Sequence, residues 1–219
     1  MISRARGLAL VSTPGRVLGS VGVEGWLPRL AQYERQRASA FRDESARASY
    51  VAGHVLIRMV AARWMGAEME RMVLSQHCRD CGGPHGQPRI ESCPDLCLSM
   101  SHCDEAIAAV ASDFPAGIDV EASCKSAGLV SDGIPAFSAK ELQLLHGLSP
   151  GEREALALTI WVRKESLVKL GRLTLDTLAA CDLVDAAPED LMFVDFGHVA
   201  SRCVGSVASS RPIDVEFLD

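Results

Sequence analysis

Pro150-Gly-Glu-Arg-Glu-Ala-Leu-Ala-Leu-Thr-Ile-Trp-Val-Arg-Lys-Glu-Ser-Leu-Val-Lys-Leu-Gly171 is the strongest helical pattern in the second half of this 219-residue chain. Pro150-Gly151 opens it and Gly171 stops it, which predicts a helix over 152–170. Leu158 and Trp161 would anchor one side to a core, while Glu165 and Lys169, one turn apart, share a face. A comparable helix is predicted from Glu44 to Met65, where Val51, Val55, Met59 and Ala62 recur at helical spacing. Strand-like runs follow each helix, at 96–100 after the first and at 191–196, 203–208 and 213–218 after the second. The chain therefore reads twice as helix, then strands. That predicts an α+β protein, a pseudo-twofold monomer of two similar lobes, 1–112 and 113–219, joined near residues 112–117.

The intervening stretches are less sharply patterned. Residues 1–25 read as a strand or two with turns, and 118–121 as a strand. Ala106 to Ala111 is compatible with helix or strand, because alanine satisfies either pattern. Phe114 to Gly117 reads as a turn, and 123–135 as loop or short helix. Phe137 to Leu145 reads as a helix, with Ser138 able to cap it ahead of Glu141.

Composition narrows the function classes. A chain that is 48% apolar is not disordered, and its apolar runs are too short and too charged to span a membrane. Residues 1–25 lack the apolar core and cleavage site of a signal peptide, so a cytoplasmic protein is expected. Residues 1–60 hold nine basic and four acidic side chains within a protein of net charge −6, so the first third is a basic region in an acidic chain. No basic run carries interleaved aromatics, which argues against nucleic acid. Eight cysteines lie at 78, 81, 93, 97, 103, 124, 181 and 203. Cys78 and Cys81, followed by His85, Cys93 and Cys97, have the spacing of a zinc site. However, Cys93 and Cys97 lead into an apolar run, where thiols also serve as small core residues. Mostly reduced, structural cysteines are expected.

Three short segments carry the chemistry. In Gly117-Ile-Asp-Val-Glu121, Asp119 and Glu121 leave the same face of a strand while Ile118 and Val120 face the core. Adjacent carboxylates call for a cation or a shared proton, and oxygen donors of this kind suit Mg²⁺ beside a phosphorylated ligand. Glu165 can supply a third ligand or a base, and Lys169 a point charge for phosphate. Ser99-Met-Ser-His102, at a strand end, offers hydroxyls and an imidazole to an anion. Each segment alone also fits an ordinary surface pair or turn.

In order and spacing the set resembles the 4′-phosphopantetheinyl transferases of the surfactin-synthetase-activator type. The resemblance covers most of residues 40–175 and includes Gln76 to Pro88, Ser99 to His102, Gly117 to Glu121 and Trp161 to Lys169. It implies a pseudo-dimer of two α+β halves with the site between them. The N-terminal lobe would bind coenzyme A and the C-terminal lobe would carry the metal and catalytic elements. Asp119, Glu121 and Glu165 would hold Mg²⁺ against the coenzyme A pyrophosphate. Lys169 would stabilise the phosphates and protonate the leaving group, and Ser101 and His102 would contact the nucleotide phosphates. Glu165, or a water held by the metal, would take the proton. The implied reaction moves the phosphopantetheine arm of coenzyme A to a serine of an acyl, polyketide or peptidyl carrier protein and releases adenosine 3′,5′-bisphosphate. A role in secondary metabolism such as antibiotic biosynthesis is expected. The carrier's acidic helix would face the arginine-rich stretch 29–47.

The chain departs from the family pattern at two cationic positions. Gln87, before Pro88, stands where relatives carry lysine, and Ser49-Tyr50 stands where they carry Arg-Phe. Arg47 or His54 would compensate for the missing arginine, and Arg42 is another candidate for the 3′-phosphate. These losses leave two rival readings. One is a weakened relative that binds coenzyme A or a carrier protein in a regulatory role. The other is a zinc-stabilised interaction domain around Cys78 and Cys81.

Overall fold

A computed structural model describes residues 7–78, 81–84, 86–126, 129–130, 135–184, 188–198 and 202–218. The chain opens with β1 (Gly7–Ser12). The Thr13 hydroxyl then accepts a hydrogen bond from the Arg16 N–H and starts α1 (Pro14–Leu18), followed by α2 (Gly22–Trp26). The stretch expected as one or two strands is thus one strand and short helices; its first six residues lie outside the described ones. The arginine-rich segment contains α3 (Gln32–Ser39), which has no apolar stripe because its buried residues are Glu34 and Ala38. The first long helix, α4, runs from Glu44 to Met65, capped by the Asp43 carboxylate and ended by Gly66 in the left-handed region. Then come β2 (Leu74–Gln76), β3 (Pro88–Ile90), β4 (Cys97–His102), β5 (Ile107–Ser112) and β6 (Ala116–Ala122). The ambiguous alanine run is strand β5. All six of its residues are buried, because α4 packs on one side of it and β6 lies on the other.

The second half continues with α5 (Ala139–His146), where Ser138 and Glu141 form the expected capping box, and α6 (Pro150–Leu170), ended by Gly171 at φ 82°. A 3₁₀ turn at Leu175–Ala180 precedes β7 (Met192–His198), β8 (Cys203–Ser209) and β9 (Ile213–Phe217). Of the loop expected at 123–135, Ser123–Ser126 forms a 3₁₀ turn, and 127, 128 and 131–134 lie outside the described residues.

Two sheets organise the protein, ordered β4-β5-β1-β9 and β6-β8-β7, beside the small pair β2-β3. In each large sheet, the strand before the long helix pairs antiparallel with the second strand of the hairpin after it: β1 with β5, and β6 with β8. The molecule is α+β, and this strand order occurs twice. The expected boundary at 112/113 falls in the short connection between β5 and β6. The last strand, however, crosses it: β9 pairs parallel with β1 and completes the sheet of the first half.

The cores join as well. Ala9 and Val11, Val110, Ile118 and Val120, Val207 and Ile213 pack in one cluster drawn from β1, β5, β6, β8 and β9. The other face of the first sheet, with Leu8, Leu10, Leu98 and Ile107, packs against Val51, Val55 and Leu56 of α4. Among the described residues, no helix is long and apolar enough to cross a membrane.

Candidate functional site

Alternation along β6 sends Ile118 and Val120 into the shared core and turns Gly117, Asp119 and Glu121 toward α6. Gly117 sets the distance between the two elements. A Cβ there would stand 2.1 Å from the Ser166 carbonyl oxygen and 2.6 Å from the Leu170 nitrogen, so only glycine lets the helix backbone rest on the strand. Ser166 and Leu170 directly follow Glu165 and Lys169, and the contact brings Lys169 onto Asp119, the next outward position of β6.

Asp119 is buried. Its Oδ1 accepts hydrogen bonds from Lys169 Nζ at 2.7 Å and from Ser101 Oγ at 2.7 Å, while its Oδ2 is buried with no hydrogen-bond partner. Glu121, half-buried, is met by Lys125 Nζ at 2.7 Å. Burial pushes the Glu165 carboxyl above its ordinary range, as do the Asp119 and Glu121 charges; Lys169 and Lys125 pull the other way. The three expected acids and Lys169 thus share one electrostatic neighbourhood. Among the described residues, no three His, Cys, Asp or Glu side chains are grouped tightly enough to hold a metal ion by themselves. The acids instead meet ammonium groups, Lys169 on Asp119 and Lys125 on Glu121. His85 of the expected zinc spacing lies outside the described residues.

The Ser-x-Ser-His segment is β4 itself. Ser99 Oγ accepts the Ile118 N–H at 3.2 Å and Ser101 Oγ donates to Asp119, so alternate hydroxyls fasten β4 to β6. Ser101, expected at a nucleotide phosphate, is committed to Asp119 here. His102 ends the strand, with its ring over Gly53, where a Cβ would come within 3.6 Å of it. Tyr50 meets it edge-on at 6.4 Å. Crowding by the protein holds the His102 imidazole down to about 4, as do the charges of His54, Lys169 and Lys125, although solvent reaches part of the residue. At neutral pH His102 offers hydrogen bonding rather than charge.

Two cavities flank this row. One of about 690 Å³ lies between Gln87, Pro88 and Arg89 on one side and Lys169, Leu170 and Gly171 on the other, with Ser99 and Met100 in its wall. The second, about 390 Å³, is lined by Ser49, His102, Asp104, Glu105 and Lys125, among others. The Ser49 hydroxyl, almost wholly buried, has no partner. Arg42 is exposed at the N-terminal approach to α4. Arg47 pairs with Glu24 at 2.8 Å, so its guanidinium is turned toward α2; neither arginine is among the residues lining the two cavities.

Lys164, inside the Trp161 to Lys169 segment and beside Glu165, carries no role in the expected chemistry. It is fully buried, and its Nζ donates to Glu141 Oε2 at 2.5 Å, to the Ala136 carbonyl at 2.8 Å and to the Leu178 carbonyl at 2.9 Å. These bonds tie α6 to α5 and to the turn after it, and so fix the helix that presents Glu165. Lys125 has a single local signal in the sequence, its position four residues after Glu121. No family model and no curated protein matches this sequence.

Proposed function

We propose that the protein transfers the 4′-phosphopantetheine arm of coenzyme A to a serine hydroxyl of an acyl, polyketide or peptidyl carrier protein. The observation that carries this reading is the meeting of Asp119 and Glu121 from β6 with Glu165 and Lys169 from α6, beside a cavity large enough for a cofactor-sized ligand. The segments that resemble the motifs of the phosphopantetheinyl transferases include these four residues. The repeated strand order supports that family's two-lobed fold, with lobes at 1–112 and 113–219 and with β9 returned to the first sheet.

In this reading coenzyme A lies across the site with its pyrophosphate at Lys169, bordered by Gln87 and Pro88. His102 hydrogen-bonds the nucleotide end, and Arg42 and Arg47 meet the 3′-phosphate, Arg47 exchanging Glu24 for it. The carrier serine oxygen attacks the phosphorus that bears the pantetheine arm. A new P–O bond forms, the bridging P–O bond breaks, and the electron pair leaves with adenosine 3′,5′-bisphosphate. Glu165, or a water held by the metal, would accept the serine proton. Lys169 offsets charge on the leaving phosphate and can supply its proton.

The residues fit a hard divalent cation. The donors are carboxylates, and Asp119 Oδ2 is buried without a partner. One or two protein carboxylates suffice for Mg²⁺ where phosphate oxygens and waters complete its shell. Asp119, Glu121 and Glu165 would hold it once Lys169 and Lys125 yield the carboxylates they now bond and the acids draw closer than they stand, and it would neutralise charge on the pyrophosphate. One chain supplies every group, so the monomer is competent. The reading is tested by chromatography of the nucleotide product. Adenosine 3′,5′-bisphosphate should appear only when coenzyme A, Mg²⁺ and an apo carrier protein are all present. Its absence with several unrelated carriers would refute the reading.

A further inference from the structure

Lys125 stands at this site, and neither the sequence motifs nor the proposed reaction uses it. Its Nζ lies 2.7 Å from Glu121 Oε2. The lysine leaves the 3₁₀ turn Ser123–Ser126, and its side chain is 58% exposed, so it can swing without disturbing the core. It lines the 390 Å³ cavity, as do Asp104 and Glu105. Lys169 in turn occupies Oδ1 of Asp119 and leaves the buried Oδ2 unpartnered. Two ammonium groups therefore occupy the carboxylates that a cation would use, one from α6 and one from the turn.

We propose that Lys125 is a built-in competitor for the metal site. Its ammonium holds Glu121 until a divalent cation displaces it into the neighbouring cavity, where it faces the bound anionic substrate. This rests on the proposed function for the identity of the substrate, but the competition itself does not. A lysine whose bond to Glu121 does not persist in solution would leave metal affinity unmoved. A competitor lowers the affinity of the substrate-free protein by the strength of its own bond to Glu121, which for a partly exposed pair is a severalfold effect.

The test is the affinity of the substrate-free protein for Mn²⁺, read by electron paramagnetic resonance of the free ion. Lys125→Met should bind Mn²⁺ about threefold tighter than the unsubstituted protein. Lys125→Gln should do the same, and Lys125→Arg, which keeps the ion pair, should restore the original affinity. Circular dichroism confirms that each variant is folded, and the two neutral variants guard against failure of either one. Unchanged or weaker Mn²⁺ binding in both neutral variants would overturn the proposal, as would no Mn²⁺ binding in any form. Because no carrier protein or coenzyme A is added, failure of the transferase reading leaves this result interpretable.

Discussion

Lys164 and Glu141 have no solvent exposure, and every donor and acceptor they present to each other is used. Glu141 also accepts the Leu183 N–H at 3.0 Å and the Ser138 N–H at 2.7 Å, so one carboxylate serves a helix cap, a loop and an ion pair. Removing one partner strands the other's charge in a dry interior. Lys164→Met should therefore cost about 3–5 kcal/mol of stability in urea unfolding. The double variant Lys164→Met, Glu141→Gln should recover part of that loss. Glu34 makes a similar node in the first half, with His54 Nδ1 at 2.5 Å and both Arg58 Nη atoms bonded to it. Burial alone would raise the Glu34 pKa, but the bonds from His54 and Arg58 outweigh it and bring it from 4.5 down to about 2. A depressed pKa stabilises the fold fully above the unfolded value. The contribution, about 3 kcal/mol, should therefore be lost as the pH falls from about 4.5 through 2. Stability measured across that window should fall steeply, and Glu34→Gln should be less stable at neutral pH with a flatter acid limb.

At the scale of elements, the β6–α6 contact decides whether there is a site. Gly117→Ala places a methyl against the α6 backbone and must push the helix away. The expected cost is about 1–3 kcal/mol of stability. Transfer activity should fall further than stability does, because Lys169 loses Asp119; an active, equally stable Gly117→Ala protein would contradict the assigned geometry. Much of this level was legible beforehand. Helices α4 and α6 fall within two residues of their expected bounds, because both carry a clear period between a polar or proline start and a glycine stop. The facing of Asp119 and Glu121 away from Ile118 and Val120 followed from the period of a strand. Helix α3 was not legible, since a buried Glu34 leaves no apolar stripe to read. The β5 alanines were ambiguous because burial on every side erases any period. Lys164–Glu141, Glu34–Arg58 and Ser101–Asp119 pair residues 18 to 24 positions apart, and no local pattern announces such partners.

For the molecule as a whole, the return of β9 to the first sheet makes the halves interdependent. Without residues 113–219, β1 loses its parallel neighbour, and Ala9, Val11 and Val110 lose the β6, β8 and β9 side of their core. The fragment 1–112 should therefore fail to fold alone, giving a collapsed amide spectrum by nuclear magnetic resonance. Mixing it with 113–219 should restore dispersion if the shared core governs assembly. The repeated strand order could be anticipated from two helix-then-strand passages, but the crossing of the last strand could not, because strand pairing across 200 residues leaves no local trace. The proposed site draws Asp119, Glu165 and Lys169 from the second half and Ser101 and Gln87 from the first, so the central claim concerns the whole chain. Its most direct test is the intact mass of an apo carrier protein incubated with this protein, coenzyme A and Mg²⁺. The account predicts a gain of one phosphopantetheine group on the carrier, abolished by Asp119→Ala or Glu165→Ala in proteins that remain folded. An unchanged carrier mass, or full modification by both variants, would contradict it.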